Sequence, residues 1–442
     1  MDASISLPLE QRYPEIFRRG GLKNLTPLWI VLGLITYSIY AVWFFQLPTV
    51  LGNAKWERLG DYLSQWVSYQ ATAEFRLDGE TIAPKWPRFF VLGDNPNPDW
   101  VVHHPDGSVE IDLNANQSVR FTQTAATLVN GAEQVEIDIS GDAPVVTSGD
   151  LPVWAEVKGD EVVGDYGFAG ELRVGTDRVK FRKRFIGWPN FIFDTASPFF
   201  GKSADEVVSL IATGPDLKAG TPNWALAWDN VWNNSQWQHG DVWVKLLQTI
   251  VMAFAGTLIG ALVAFPLAFM AARNITPNGV LNQATKRVFD FVRSVDMLIW
   301  ALFFTRGFGP GPLAGIGAIA LTETGTLGKL YAEGLENIDD KQREGIKSTG
   351  ADPVTIQRFG VLPQVLPVMA SQTLYQWESN TRSATIIGAV GAGGIGLKLW
   401  EAMRTNSNWS NLFYMVLLIL LVVFIFDTIS NALRSRLIGT QR

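Results

Sequence analysis

The chain has 442 residues and a net charge of −6, and 47% of its residues are hydrophobic, enough for more than one structural region. The averages hide a division: residues 53–240 carry 15 Lys and Arg against 26 Asp and Glu, a net of −11, while the remainder carries +5. With no Cys and only three His, disulfides and thiolate metal sites are excluded, and no basic, aromatic-laced patch points to nucleic acid.

Taken in chain order, residues 1–27 are polar, with Arg12, Arg18, Arg19 and Lys23, and read as a cytoplasmic N-terminus. The apolar run that follows, residues 28–46, is close to the length that crosses hydrocarbon. A cleaved signal peptide is the competing reading. The run is long for a signal core and no small-x-small site follows it, so an uncleaved first span with its N-terminus inside is expected.

Residues 53–240 read as a soluble, mainly β insert. Asp106-Gly107 is a hairpin dipeptide, and strands are expected at 108–122, 134–140, 153–157, 171–174 and 179–185. In the last of these, Val179, Phe181 and Phe185 alternate with Lys180, Arg182 and Arg184, which predicts a basic stripe on one sheet face. Helices are expected at 56–69 and 203–212, and a Trp- and Asn-rich return to the membrane at 224–241. Adjacent His103 and His104 point to opposite faces of a strand and lack ligand spacing. No metal site is expected, and no catalytic arrangement can be argued.

Five further spans are expected at about 242–271, 288–304, 313–327, 365–390 and 412–429, in a core running from 242 to 433 with a tail at 434–442. Six spans place both termini on one side. With that side inside, Arg273, Lys286, Lys329, Lys341, Arg343 and Lys347 are cytoplasmic and the insert is external, as the positive-inside rule requires. Trp29, Trp43, Trp243, Trp400 and Trp409 flank the apolar runs, where interfacial rings sit.

Between the third and fourth of these later runs lies a polar loop, residues 329–363. Gly350 interrupts a helical pattern, and Asp352-Pro353 starts a new helix, since Pro suits a first turn. Leu362-Pro363 is expected to stop that helix and turn the chain into the bilayer. Glu344, Gly350 and Leu362-Pro363 fall at the spacing of the coupling loop of ABC importer permeases (Glu-Ala-Ala, three residues, Gly, nine residues, Ile, one residue, Leu-Pro). Gly345-Ile346 stand in place of the alanines, and Gly360 stands where Ile is usual.

Longer runs extend the resemblance. They include Gly256-Thr257-Leu258-Ile259-Gly260-Ala261, Arg293-Ser294-Val295-Asp296, Phe308-Gly309-Pro310-Gly311-Pro312 and Leu321-Thr322-Glu323-Thr324-Gly325-Thr326-Leu327-Gly328-Lys329. They end with Glu378-Ser379-Asn380-Thr381-Arg382-Ser383. From about residue 242 to the C-terminus the chain resembles the PhnE-like permease subunits of phosphonate, phosphite and phosphate ABC importers. The insert is not clearly covered. The resemblance implies an α-helical integral membrane protein of the type I ABC importer permease fold, with about six transmembrane helices and the β insert between the first two. It also implies a bacterial inner-membrane location and a permease dimer. The expected partners are a cytoplasmic ABC ATPase dimer that binds the ATP and Mg and a periplasmic phosphonate-binding protein. The chain itself would hold no cofactor and no ATPase site.

On this reading Glu344, Gly345, Gly350, Ala351, Asp352, Leu362 and Pro363 couple to the ATPase. Charged groups at membrane depth face a cavity or a partner, so Arg293, Glu323, Glu378 and Arg382, with Ser379 and Asn380, are candidates for the translocation pathway. Pairing of Glu378 with Arg382 and of Arg293 with Asp296, one helical turn apart, is the structural alternative. Gly388, Gly391, Gly393 and Gly394 permit close helix approach or an external gate. Two motifs are refused. Gly391 to Gly396 matches G-x-G-x-x-G but follows a membrane span rather than a strand, and Gly201-Lys202-Ser203 lacks the first P-loop glycine, which would fall at Ala196. A membrane-anchored sensor leaves five spans without purpose. A secondary transporter or channel needs no docking loop and shows no inverted repeats.

Overall fold

The structure is a computed structural model that describes residues 25–439 apart from 55, 80, 88–89, 94–95 and 406–408. Residues 1–24 and 440–442, parts of the expected cytoplasmic N-terminus and tail, lie outside it. The described residues fall into two compact units, one ending at Leu63 and the other beginning at Ser64.

The first unit holds α1 (Thr26–Phe44), α2 (Leu47–Gly52) and the start of α3 (Trp56–Gln65). Within its own unit α1 buries no residue, and it is apolar on every side, the composition of a helix solvated by lipid. Gln46 takes a left-handed conformation (φ 49°) and separates α1 from α2. The helix expected over 56–69 is shorter: α3 ends at Gln65, and a strand begins at Ser68.

The second unit opens with a β-sandwich. Its strands are β1 (Ser68–Arg76), β2 (Pro84–Lys85), β3 (Val101–His103), β4 (Val109–Asn114), β5 (Gln117–Phe121) and β6 (Ala125–Asn130). There follow β7 (Glu133–Asp138), β8 (Val145–Val146), β9 (Ala155–Lys158), β10 (Glu161–Asp165), β11 (Gly170–Val174) and β12 (Arg178–Ile186). They form two antiparallel sheets in the orders β2-β1-β12-β11-β10-β9 and β3-β4-β5-β6-β7-β8. Phe75, Phe121, Leu128, Leu172 and Val179 from both sheets fill one apolar core, as alternating strands require. The single strand expected at 108–122 is a hairpin, because Asn114 Oδ1 accepts from the Asn116 backbone N–H at 3.0 Å and bends the chain.

The basic stripe of β12 is only partly as expected. Lys180 pairs with Glu161 at 3.3 Å, and Arg182 with Glu171 at 3.7 Å, so the stripe is neutralised across strands. Lys183, on the opposite face, is 9% exposed. Its ammonium lies over the Trp100 ring at 4.9 Å from the centroid, and burial lowers its pKa.

The helices that follow are α4 (Ala204–Thr213), α5 (Asn223–Trp232), α6 (His239–Ala271), α7 (Gly279–Ser294), α8 (Met297–Phe308), α9 (Pro312–Glu336) and α10 (Asp340–Lys347). The last are α11 (Pro353–Ile356), α12 (Leu362–Ile387), α13 (Gly394–Thr405) and α14 (Trp409–Gly439). Ser203 caps α4 reciprocally with Glu206, which is the local role of the P-loop-like tripeptide. Among the described residues, α1, α6 and α14 are long and apolar enough to cross a membrane, and α12 with α13 forms a pair bent by 59°. The span expected at 288–304 is broken. Asp296 caps α8 by accepting from Leu298 N at 2.8 Å, which ends α7 at Ser294. Residues 313–327 fall inside the longer α9. Gly256 and Gly260 let α9 lie close on α6: a Cβ on either would come within 2.7 Å of Ile319 or Glu323 side-chain atoms.

Candidate functional site

The loop between α9 and α12 folds as two short helices around a glycine. Asp339 caps α10, accepting from Lys341 N at 3.0 Å. Gly350 is left-handed (φ 79°), a conformation that favours Gly. Asp352 Oδ2 accepts from the backbone N–H groups of Val354 and Thr355 at 3.1 and 3.2 Å. Hydrogen bonds from Thr355 hold its carboxyl below the usual carboxylate range. Glu344, Gly345 and Gly350 are exposed, Ala351 is half-buried, and Val354 is exposed beside them.

Leu362-Pro363 does not stop the helix as expected. The chain runs from α11 through a wide π turn, Gln357–Val361, directly into α12. Pro363 lies in the first turn of α12, and the wide turn relieves the clash and missing bond that proline imposes. Gly360, the departure from the usual Ile, lets α10 close on this turn, for a Cβ there would lie 3.3 Å from Arg343 Cα. The segment is tied to the bundle by Arg343, which donates to Asn274 O at 3.2 Å, and by Gln364, which accepts from Asp339 N at 3.2 Å.

The charged candidates fall into three groups. Arg293 pairs with Asp290 at 3.2 Å rather than with Asp296, because Asp296 is spent on the α8 cap. Asp290 also meets Lys329 at 2.9 Å and Arg287 at 3.5 Å. In the second group Glu378 lies between Arg382 at 3.4 Å and Arg434 at 3.3 Å, and Asp427 approaches Arg382 at 3.9 Å. The expected Glu378–Arg382 pair is therefore present, within a larger network.

The third group is Glu323, only 3% exposed. Asn380, also buried, donates through Nδ2 to Thr257 Oγ1 at 2.9 Å. Glu323 Oε2 has no hydrogen-bond partner among the described residues. Of the polar groups beside Ser379, Asn380 and Thr381 are buried. Thr381 donates to Trp377 O and Ser383 to Ser379 O on their own helix. Lys329, Arg434 and Asp427 were missed by sequence reasoning. The clue was the α9 face Thr326, Lys329 and Glu333, spaced three and four apart.

The glycine run makes a compact bend. Gly388 and Gly394 are buried; Gly391 and Gly393 have φ of 103° and 85°. Gly391 O accepts from Gly311 N at 3.0 Å, and Ile395 N donates to Thr249 Oγ1 at 2.9 Å. The run thus packs against the turn before α9 and against α6, and it starts α13.

The sandwich is joined to the helices through an aromatic block. Trp66 stacks on Phe413 with centroids 4.9 Å apart. His239 bonds Tyr414 Oη at 2.9 Å through Nδ1 and meets Phe191 O at 2.6 Å through Nε2. Trp188 Nε1 donates to Trp66 O at 3.0 Å, and Trp237 Nε1 to Pro189 O at 2.8 Å. Each indole N–H of the block named here has its acceptor, as burial demands.

A bundle of long apolar helices with internal ion pairs and an exposed helix–glycine–helix loop defines a membrane permease component. Residues 264–439 match the family described as binding-protein-dependent transport system inner membrane component. The phosphite transport system permease protein PtxC of Stutzerimonas stutzeri is 36% identical over 194 residues, 44% of this chain and 70% of that protein. The phosphate-import permease protein PhnE of Mycolicibacterium smegmatis is 35% identical over 196 residues, 44% of this chain and 37% of that protein. The chain belongs to this family of binding-protein-dependent permeases. A solved methionine ABC transporter in an inward-facing conformation is similar at 19% identity and a TM-score of 0.40, covering 44% of this chain and 95% of that one.

Proposed function

We propose that the chain is the permease subunit of an ATP-driven importer of phosphorus oxyanions: phosphonates, phosphite or phosphate. The phosphite and phosphate permeases among its relatives support the cargo class. The exposed α10–Gly350–α11 segment carries the mechanism. It presents Glu344 and its neighbours to a separate ATPase dimer that binds ATP and Mg, and ATP-driven motion there reaches the α6–α7 connection through the Arg343 tie and α12 through the Gln364 tie. The core works by alternating access in the type I manner, as one half of a permease dimer, most simply with a second copy of itself. Both termini and the coupling loop face the cytoplasm, and the 53–240 insert faces the periplasm of a bacterial inner membrane with six spans.

The insert is proposed to orient the periplasmic binding protein over the pathway. Its aromatic joint to α6 and α14 favours a fixed platform over a tethered spacer. Its excess of acid repels an anion, so capture of cargo belongs to the binding protein. Among the candidate charges, Glu378 with its two arginines serves to lock α12 to α14, and Gly388 to Gly394 serve helix packing.

The test is uptake of phosphite, methylphosphonate and phosphate by the chain reconstituted with its ATPase and binding protein. Glu344→Ala and Gly350→Pro are expected to uncouple ATP hydrolysis from uptake while leaving the chain folded. Normal uptake in both variants refutes the coupling role. Excision of residues 71–183 joins Gln70 to Arg184, which are Cα partners across β1 and β12. An unchanged rate at saturating binding protein removes the docking role from the insert.

A further inference from the structure

A cavity of about 570 Å³ opens between α7, α9, α12 and α14. Its charged wall is mostly basic: Arg293, Lys329 and Arg434, with Glu333 as the acid. Of these cations, Arg293 and Lys329 are under-neutralised. Asp290 is shared by Arg293, Lys329 and Arg287, and Glu378 by Arg434 and Arg382. One carboxylate cannot satisfy three cationic groups, so donor capacity is left over. Arg434 Nε is buried and has no acceptor among the described residues. From α12, Ser371, Gln372 and Gln376 add neutral polar groups, and Gln372 Oε1 is buried without a partner. With amide orientation open to exchange, that side chain can present its NH₂ instead. A second cavity shares Leu330, Glu333 and Gln372 with the first and reaches Asp339 and Gln364 at the coupling segment.

We propose that this cavity is the station at which the permease holds its cargo before release on the coupling-segment side, and that it selects an oxyanion that still carries an acidic proton. The inference rests on the reading of the chain as a phosphorus-oxyanion importer. Three cations and the α12 amides supply charge and donors to the oxygens of a tetrahedral anion. Glu333, which makes no ion pair with a basic side chain among the described residues, supplies the opposite requirement. A carboxylate only accepts, so it repels a fully deprotonated dianion and welcomes a P–OH. Hydrogen phosphate meets that condition at neutral pH, the monoanions of phosphonates and phosphite meet it too, and sulfate does not, although hydrogen phosphate and sulfate match in shape and charge. The shared use of Asp290 and Glu378 keeps the hold weak, which release requires.

The chain has no cysteine, so Gln376→Cys places its single thiol in the cavity wall. The complex with its ATPase, free of nucleotide, is labelled with an uncharged maleimide in phosphate, sulfate or sodium chloride at matched ionic strength. The expected result is a labelling rate at least threefold slower in tens of millimolar phosphate than in chloride. Sulfate should protect far less, and Glu333→Gln should erase the difference between the two anions. Equal protection by phosphate and sulfate, or none, overturns the proposal; Ser371→Cys serves as the second position should the first fail to assemble.

Uptake gives an independent arm. Lys329→Met should cut uptake at least tenfold at saturating binding protein, with Lys329→Arg restoring most of it. Arg287→Met is the control, because Arg287 also pairs with Asp290 but is 83% exposed and lies outside the cavity wall. Equal losses in Lys329→Met and Arg287→Met reduce the role to holding α7 on α9 and sink the site. Import by the wild type without protection removes only this site. A wild type that imports no phosphorus oxyanion at all removes the larger reading.

Discussion

The sandwich and the helical core handle charge in opposite ways. In the sandwich, acids and bases meet across strands at the water surface, as in Arg178–Glu74 at 3.6 Å and Arg182–Glu171 at 3.7 Å, and Lys183 is the buried charge among its described residues. Such exposed pairs are worth about 0–1 kcal/mol. In the core, Glu378 and Glu323 are buried among helices, and the half-buried Asp290 is shared by three cations. The same residue types are thus surface decoration in one region and part of the working interior in the other. Surroundings rather than residue identity decide which.

Three experiments sharpen or break that contrast. The largest effect is expected from Phe75→Ala. Phe75 is fully buried between the sheets, and truncation of such a side chain costs about 3–5 kcal/mol. Limited proteolysis of the whole chain should show the sandwich cut while α6 to α14 resist. A bundle lost together with the sandwich would show that the two regions fold as one.

Next comes Glu378→Leu, whose side chain is only 10% exposed. Removing it leaves Arg434 and Arg382 short of their acid and should cost about 3 kcal/mol, as for a broken buried pair. Thermal unfolding of the purified chain checks this, with Arg178→Gln in the sandwich as the matched exposed pair that should not shift the transition. Equal shifts in the two variants would erase the contrast.

The smallest effect is a pH dependence. In the turn between β3 and β4, Asp106 is pulled down to about 2 by hydrogen bonds from the Ser108 hydroxyl and backbone and by Arg120. Its free value is about 3.9. A carboxyl with a lowered folded pKa contributes fully above the free value and loses that contribution as pH falls through the folded one. Proteolytic resistance of this hairpin should therefore hold at pH 5 and weaken toward pH 2, and Asp106→Asn should flatten the profile.

Much of this was legible in sequence because local chemistry fixes it. The apolar runs, the alternation in β7 and β12, the Asp106-Gly107 turn and the Asp352-Pro353 helix start each depend on neighbours within a few residues. So does the left-handed demand at Gly350. The site was legible only as a set of candidates. Arg293 and Asp296 are one turn apart, yet Asp296 turns to cap α8 and Arg293 turns back to Asp290. Nothing in their spacing distinguishes these outcomes.

The sequence by itself determined that apolar helices and an acidic β insert share the chain, and that a glycine-centred loop lies among basic flanks, since period, length and turn chemistry are written residue by residue. Tertiary structure alone decided that Lys329 and Arg434 join Arg293 around one cavity, that Lys183 is buried over an indole, and that Leu362-Pro363 continues a helix. Each of these depends on groups far apart in the chain, or on a backbone widening that no local pattern encodes, and is set by which faces the packed helices and sheets bring together.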